Sequence, residues 1–229
     1  MTEPRPRRLV VGISGATGIA YGIRVLELAR TVGVETHLVV TPAGQQTRAH
    51  ETDLSARGLA ELADVTYRPA DIGAAIASGS FPVDGMLVAP CSARTLAAVG
   101  YGTGDNLLTR AADVTLKERR RLVLMVRETP LSLTHLRAMT AVTEAGGIVM
   151  PPVPAFYLRP ATVDELVTHS AARALDLLGI DIGDQPRWGE VSAGHRHQPT
   201  PSQPTSTRDG ATSDQGPIFG PAPSGAFPS

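Results

Sequence analysis

An arginine and a glutamate, Arg127-Glu128, follow directly on the apolar run 122–126 and stand just ahead of Pro130. That run is apolar enough to lie in the middle of a sheet. It therefore delivers the pair to the carboxyl-end rim, where open α/β sheets bind their ligands. A guanidinium beside a carboxylate suits an anionic ligand and a proton transfer. The same stretch carries Lys117, the only lysine in the chain. Arginine usage elsewhere fits a GC-rich coding bias, yet a compact ammonium is also a point charge suited to phosphate. Arg110, Arg159 and Arg173 are further candidate cations, whereas Arg119, Arg120 and Arg121 read as a solvated turn. Glu51 is a second candidate carboxylate. Each charge taken alone is more often a surface salt-bridge partner.

Glycine and hydroxyl residues cluster where strands feed helices. Gly12-Ile13-Ser14-Gly15-Ala16-Thr17-Gly18 is a glycine-rich turn that lets a ligand approach the backbone and aims helix amides at an anion. Its spacing is not the dinucleotide fingerprint, and a tight βα loop with Thr17 as helix cap is the plain alternative. Ala89-Pro90-Cys91-Ser92-Ala93-Arg94-Thr95 repeats the device after another strand, a cradle for phosphate or for a flavin edge. Cys91 invites a nucleophilic reading, but the sequence around it offers no histidine partner, and a free cysteine is most often buried. Pro151-Pro152-Val153-Pro154-Ala155-Phe156-Tyr157 is a proline-stiffened loop that either presents the Tyr157 hydroxyl to a ligand or serves as a rigid connection.

The elements that must hold these residues alternate. Strands are expected at 8–14, 34–40, 65–67, 84–89, 122–126 and 148–150. Helices are expected at 18–30, 43–49, 55–62, behind residue 92, and at 106–117, 134–144 and 163–178. Strands alternating with helices predict an α/β fold: a doubly wound, mostly parallel sheet in three layers, flavodoxin- or Rossmann-like. Residues 1–7 read as a flexible start, 8–190 as one domain, and 191–229 as a tail. The tail is rich in Pro, Ser, Thr and Gly and too poor in aliphatic residues to bury a core, so disorder is expected, with His195 and His197 solvated rather than metal-bound.

A length of 229 residues with 42% hydrophobic content suffices for one sizeable core. A net charge of −1 gives no electrostatic argument for nucleic acid or an anionic membrane. The single cysteine excludes an internal disulfide and suits a reducing cytoplasm. The first apolar run is short and broken by Gly12 and Gly15, so it reads as a strand rather than a signal peptide or membrane span.

In order along the chain, VGISGATGIAYGIRVL, ETD at 51–53, APCSARTLAAVG, the long block from DNLLTRAADV to LTHLRAM, AGGIVMPPVPAFY and PRWGE resemble the UbiX-type flavin prenyltransferases. The resemblance runs from Leu9 to about Glu190. Flavin-dependent cysteine decarboxylases share the fold, but the histidine after the first helix and the asparagine motif expected of them are not found. The resemblance implies binding of reduced FMN and dimethylallyl monophosphate, with prenyl transfer to flavin N5 and C6. The product, prenylated FMN, would serve a UbiD-type decarboxylase. A flavin-dependent decarboxylase and a non-catalytic flavin-delivery subunit are the alternatives.

Carried onto this sequence, the resemblance places Gly15, Ala16, Thr17, Thr41, Ser92, Ala93, Arg94, Thr95 and Arg127 against FMN. It places Arg110, Lys117, Tyr157 and Arg173 on the prenyl phosphate, and gives catalytic roles to Glu128, Glu51 and Thr17. It implies no metal and a large homo-oligomer, a dodecamer, with sites at subunit boundaries. Thr17 and Thr41 stand where the family commonly has serine, which keeps the hydroxyl and adds a methyl near the flavin. Trp188 of PRWGE is expected to pack against the site or a neighbouring subunit.

Overall fold

A computed structural model describes residues 5–183. Its sheet is six-stranded and wholly parallel: β1 (Arg8–Ile13), β2 (Glu35–Val40), β3 (Val65–Tyr67), β4 (Gly85–Cys91), β5 (Arg121–Val126) and β6 (Ile148–Val149) lie in the order β3-β2-β1-β4-β5-β6. The helices are α1 (Ile19–Thr31), α2 (Pro42–Glu51), α3 (Ala56–Ala60), α4 (Ala93–Gly100), α5 (Leu107–Lys117), α6 (Leu133–Glu144) and α7 (Val163–Leu177). The doubly wound α/β expectation holds. The winding reverses between β1 and β4, which opens a crevice beyond their carboxyl ends.

Strand side chains alternate between faces. Leu9, Val11 and Ile13 of β1 join Leu87, Val123, Leu26 and Leu175 in one core, on the face that α1 and α7 cover. Val10 joins Met86, Leu108, Leu122, Leu124 and Val142 in the other. Burial on both faces is why these strands are apolar almost throughout. Gly22 shows how closely the layers meet: a Cβ there would lie 2.4 Å from the Ala89 carbonyl oxygen, so α1 needs glycine to pass over β4.

The expected elements are all present, most within two residues of their expected ends. Pro90 and Cys91 read as a turn but continue β4, because Cys91 still pairs with Val126 after a register shift. The start of the chain is anchored from residue 5: Arg5 Nη1 donates to Pro82 O (2.7 Å) and Arg7 Nη1 to Gly179 O (2.6 Å). Guanidinium groups there satisfy loop and helix-end carbonyls. Residues 1–4, the tail 191–229 and Trp188 lie outside the described residues. Among the described residues no helix is long and apolar enough to cross a membrane.

The second core also buries a polar network. His37, 2% exposed, meets Glu35 Oε1 through Nε2 and the Tyr67 hydroxyl through Nδ1, both at 2.9 Å. Glu35 Oε2 in turn accepts from Arg8 Nε at 3.0 Å, and the Arg8 guanidinium lies over the Phe81 ring. A neutral imidazole protonated on Nε2 satisfies both ring contacts. Burial lowers the His37 pKa below its ordinary value, against the pull of Glu35. A depressed folded-state pKa means that this contribution to stability is full above the unfolded value near 6.5 and is lost as pH falls through the folded value. His169, lowered mainly by burial, acts with the same sign. Urea midpoints should therefore fall between pH 7.5 and pH 5, and His37→Gln should shrink that fall; an equal fall in both proteins would contradict the assignment.

Candidate active site

The crevice is built from three strand-to-helix turns, two of them joined by Ser14, which is 1% exposed. Its hydroxyl donates to Pro90 O (3.0 Å) and accepts from the Ser92 amide (2.8 Å), so the ends of β1 and β4 share one side chain. The Thr41 amide donates to Ile13 O at 2.9 Å and brings in the end of β2. Gly15 has no room for a side chain, since a Cβ would sit 2.4 Å from that of Ala43. The start of α2 thus closes directly over the glycine turn.

The helix starts at this rim differ in their partners. Gly18, the N-cap of α1, is left-handed (φ 100°) and has no capping side chain of its own. Glu51, the last residue of α2, supplies one: its Oε2 accepts from the Gly18 amide (2.8 Å) and the Ile19 amide (2.9 Å). Burial pushes the Glu51 pKa up, but hydrogen bonds from Thr17, Ile19 and Gly18 and the charge of Arg127 outweigh it and hold it below the ordinary carboxylate value. Arg127 also acts on Tyr21, whose phenol is raised by burial despite that cation. The α1 amides that a phosphate would use are therefore already taken. At α4 the Ser92 side chain accepts only from the Thr95 amide (3.2 Å), so Ala93 and Arg94, in the first turn, have no intrahelical acceptor for their N–H groups. That helix start is open to an anion.

Between these walls lies a cleft of about 750 Å³ lined by Gly15, Thr41, Ser92, Ala93, Arg94, Thr95 and Glu128, with the starts of α2 and α5 completing it. Such a volume suits a cofactor-sized ligand. Glu128 Oε1 accepts from the Thr129 amide at 3.0 Å, which orients its carboxylate at the edge of the cleft. Among the described residues no group of His, Cys, Asp or Glu is placed to hold a metal ion.

The structure brings together Gly15, Ala16, Thr17, Thr41, Glu51, Ser92, Ala93, Arg94, Thr95, Arg127 and Glu128 at one rim. It does not bring the remaining expected residues there. Arg110 stands in the first turn of α5, but Nη1 pairs with Asp113 (2.7 Å) rather than turning into the cleft. Lys117 ends α5, about 15 Å along the helix from its start, and pairs with Glu118 at 2.6 Å. Because α5 runs back against the strands, its last residue lies at the amino end of the sheet, beside Gly79. Tyr157 packs edge-on against His169, and Arg173, one turn further along α7, pairs with Asp176. His169 lines a separate hollow of about 670 Å³ together with Arg24, Leu158, Asp164 and Ala172. Within one chain, then, Lys117, Tyr157 and Arg173 do not face the rim cleft.

Cys91 is buried, its Sγ lies 3.6 Å from Ser92 O, and burial pushes its thiol far above the ordinary value. It is a core residue rather than a poised nucleophile. Sequence reasoning missed Ser14 as the junction, Tyr21 beside Arg127, and Asp105. Of these only Asp105 left a readable signal, in the Asp-Asn-x-x-Thr start of α5, whose Asn106–Thr109 pair forms a capping box.

A family model described as Flavoprotein matches residues 1–170. The flavin prenyltransferase UbiX of Neisseria meningitidis serogroup B is 60% identical over 182 residues, covering 80% of this chain and 96% of that one. Among solved structures, AnUbiX (PadA1) in complex with FMN and dimethylallyl pyrophosphate superposes with a TM-score of 0.79 at 50% identity, covering 80% of this chain and 98% of that one. A dodecameric FMN-dependent Ubix-like decarboxylase from Escherichia coli O157:H7 does so with a TM-score of 0.77 at 49% identity, over 79% and 98% of the two chains. The fold and rim site are those of a parallel α/β flavoprotein. Within that class the chain belongs to the UbiX-type flavin prenyltransferases.

The junction makes a direct stability prediction. Ser14→Ala leaves the part-buried Ser92 amide without its acceptor and should cost about 1–3 kcal/mol, read from urea unfolding. An unchanged midpoint would show that Ser14 does not hold the two strand ends.

Proposed function

We propose that this chain transfers the dimethylallyl group of dimethylallyl monophosphate to N5 and C6 of reduced FMN, yielding prenylated FMN. The observation that carries the reading is the asymmetry at the rim, where Glu51 fills the start of α1 while the start of α4 stays open. The open amides of Ala93 and Arg94, with Ser92, Thr95 and Thr41, would take the FMN phosphate. Gly15, Ala16, Thr17 and Arg127 would then bound the rest of the flavin. Reduced FMN supplies the nucleophilic positions of the reaction when bound.

The chain's own residues supply placement and charge. Glu128, at the edge of the cleft, moves the proton released as the new bond forms. Glu51, held ionised by its donors, fixes Thr17 and stabilises positive charge as the allylic C–O bond opens. Arg110, Lys117, Tyr157 and Arg173 would hold the prenyl phosphate. Since Lys117, Tyr157 and Arg173 lie away from their own chain's cleft, they serve a neighbouring copy's cleft in this reading. The dodecameric E. coli relative supports such an assembly. No metal takes part. The product would pass to a UbiD-type decarboxylase, and the reducing cytoplasm suits both the reduced flavin and the single cysteine.

Purified protein given reduced FMN and dimethylallyl monophosphate without oxygen should yield a flavin heavier by one prenyl unit. An unchanged flavin mass would sink the reading, and CO2 release from an added acid by this chain alone would favour the decarboxylase alternative. Glu128→Gln should slow transfer by about 10²–10⁴-fold while FMN still binds; a flavin carrier would lose nothing. Lys117→Ala and Glu128→Gln, each impaired alone, should regain part of the activity when co-expressed in one assembly, and no regain would show that Lys117 does not serve a neighbouring copy's cleft.

A further inference from the structure

We propose that Asp105 is a positioning residue that holds Arg94 across the phosphate end of the cleft, which rests on the reading that the cleft binds FMN. Asp105 Oδ2 accepts from Arg94 Nη2 at 2.8 Å. Its other oxygen accepts from Asn106 Nδ2 (2.7 Å) and the Thr109 hydroxyl (3.2 Å). Asn106 is itself fixed, because its Oδ1 caps the Thr109 amide, and the next residue, Leu107, ties its amide to Pro69 O at 2.7 Å. Arg94, Asp105, Asn106, Thr109 and Pro69 all line the cleft. The carboxylate is thus a fixed post between the starts of α4 and α5, and Arg94 is the movable group leaning on it.

Stability is not what this pair provides. The Arg94 side chain is 84% exposed, and an ion pair in that setting is worth little to the fold. Its effect lies in the ligand. An untethered arginine must surrender its rotamer freedom when it meets a phosphate, and a tethered one has already done so. A carboxylate in a phosphate cleft also repels the dianion, so the two effects of Asp105 oppose each other and a measurement separates them. Tethering dominates here because Asp105 meets its arginine directly and spends its remaining acceptor capacity on Asn106 and Thr109.

The experiment compares FMN with riboflavin, which lacks the phosphate, on wild type, Asp105→Asn, Arg94→Gln and the double variant. Asp105→Asn should weaken FMN binding about two- to tenfold and leave riboflavin binding unchanged; Arg94→Gln should weaken FMN binding further. In the Arg94→Gln background, where no arginine is left to tether, Asp105→Asn should bring no further loss and should tighten FMN binding only by as much as the repulsion it removes. Tighter FMN binding by Asp105→Asn would show that repulsion dominates and overturn the proposal. Equal losses for FMN and riboflavin, or additive losses in the double variant, would overturn it as well by reducing Asp105 to a structural role. If wild type bound no FMN, the flavin reading and this one would fall together, whereas the other adverse results leave the flavin reading intact.

Discussion

The Ser14 hydroxyl ties the end of β1 to the end of β4 by donating to Pro90 O and accepting from the Ser92 amide, and every wall of the rim cleft is placed relative to that junction. The Ser14 amide donates to the same Pro90 O (3.2 Å), so backbone and side chain together join the glycine turn to the turn into α4. Close packing supports the arrangement: Gly15 admits the start of α2 because it has no Cβ, and Gly22 lets α1 settle onto β4 for the same reason. The topology supplies the crevice, and these contacts narrow it to a shape that a flavin-sized ligand fits.

Electrostatics then gives two similar turns different tasks. Both lead a parallel strand into a helix, and both would attract an anion through unpaired amides. Glu51 neutralises that attraction at α1 and is held ionised in doing so, with Arg127 close enough to reinforce it. At α4 only Ser92 caps the helix, and the amides of Ala93 and Arg94 remain available. In the proposed reading this difference directs a phosphate to the start of α4 and leaves at α1 an ionised carboxylate on which the charge of Arg127 acts.

Much of this was legible in the sequence, for a physical reason. Parallel strands buried on both faces are apolar throughout, so their positions and the rim location of Arg127 and Glu128 follow from the runs themselves. The place of Lys117 in its own chain was legible too: a residue that precedes a strand lies at that strand's amino end, opposite the rim, so it can serve only a neighbouring copy's cleft in the proposed reading. Tyr157 and Arg173 are different, because their facing depends on the packing of the proline loop against α7, and in this account on a neighbouring copy. His37 gave no signal, since a polar residue in a strand usually marks the solvent face, and only the partners Glu35 and Tyr67 make its burial tolerable. Asp105 could be read as part of a helix start but not as the partner of Arg94, a contact between elements that the sequence does not pair.

A crystal structure of the FMN complex tests the central claim most directly. The phosphate should sit on the amides of Ala93 and Arg94, with Glu51 still accepting from Gly18 and Ile19. A phosphate seated on the Gly18 and Ile19 amides, with Glu51 displaced, would contradict it.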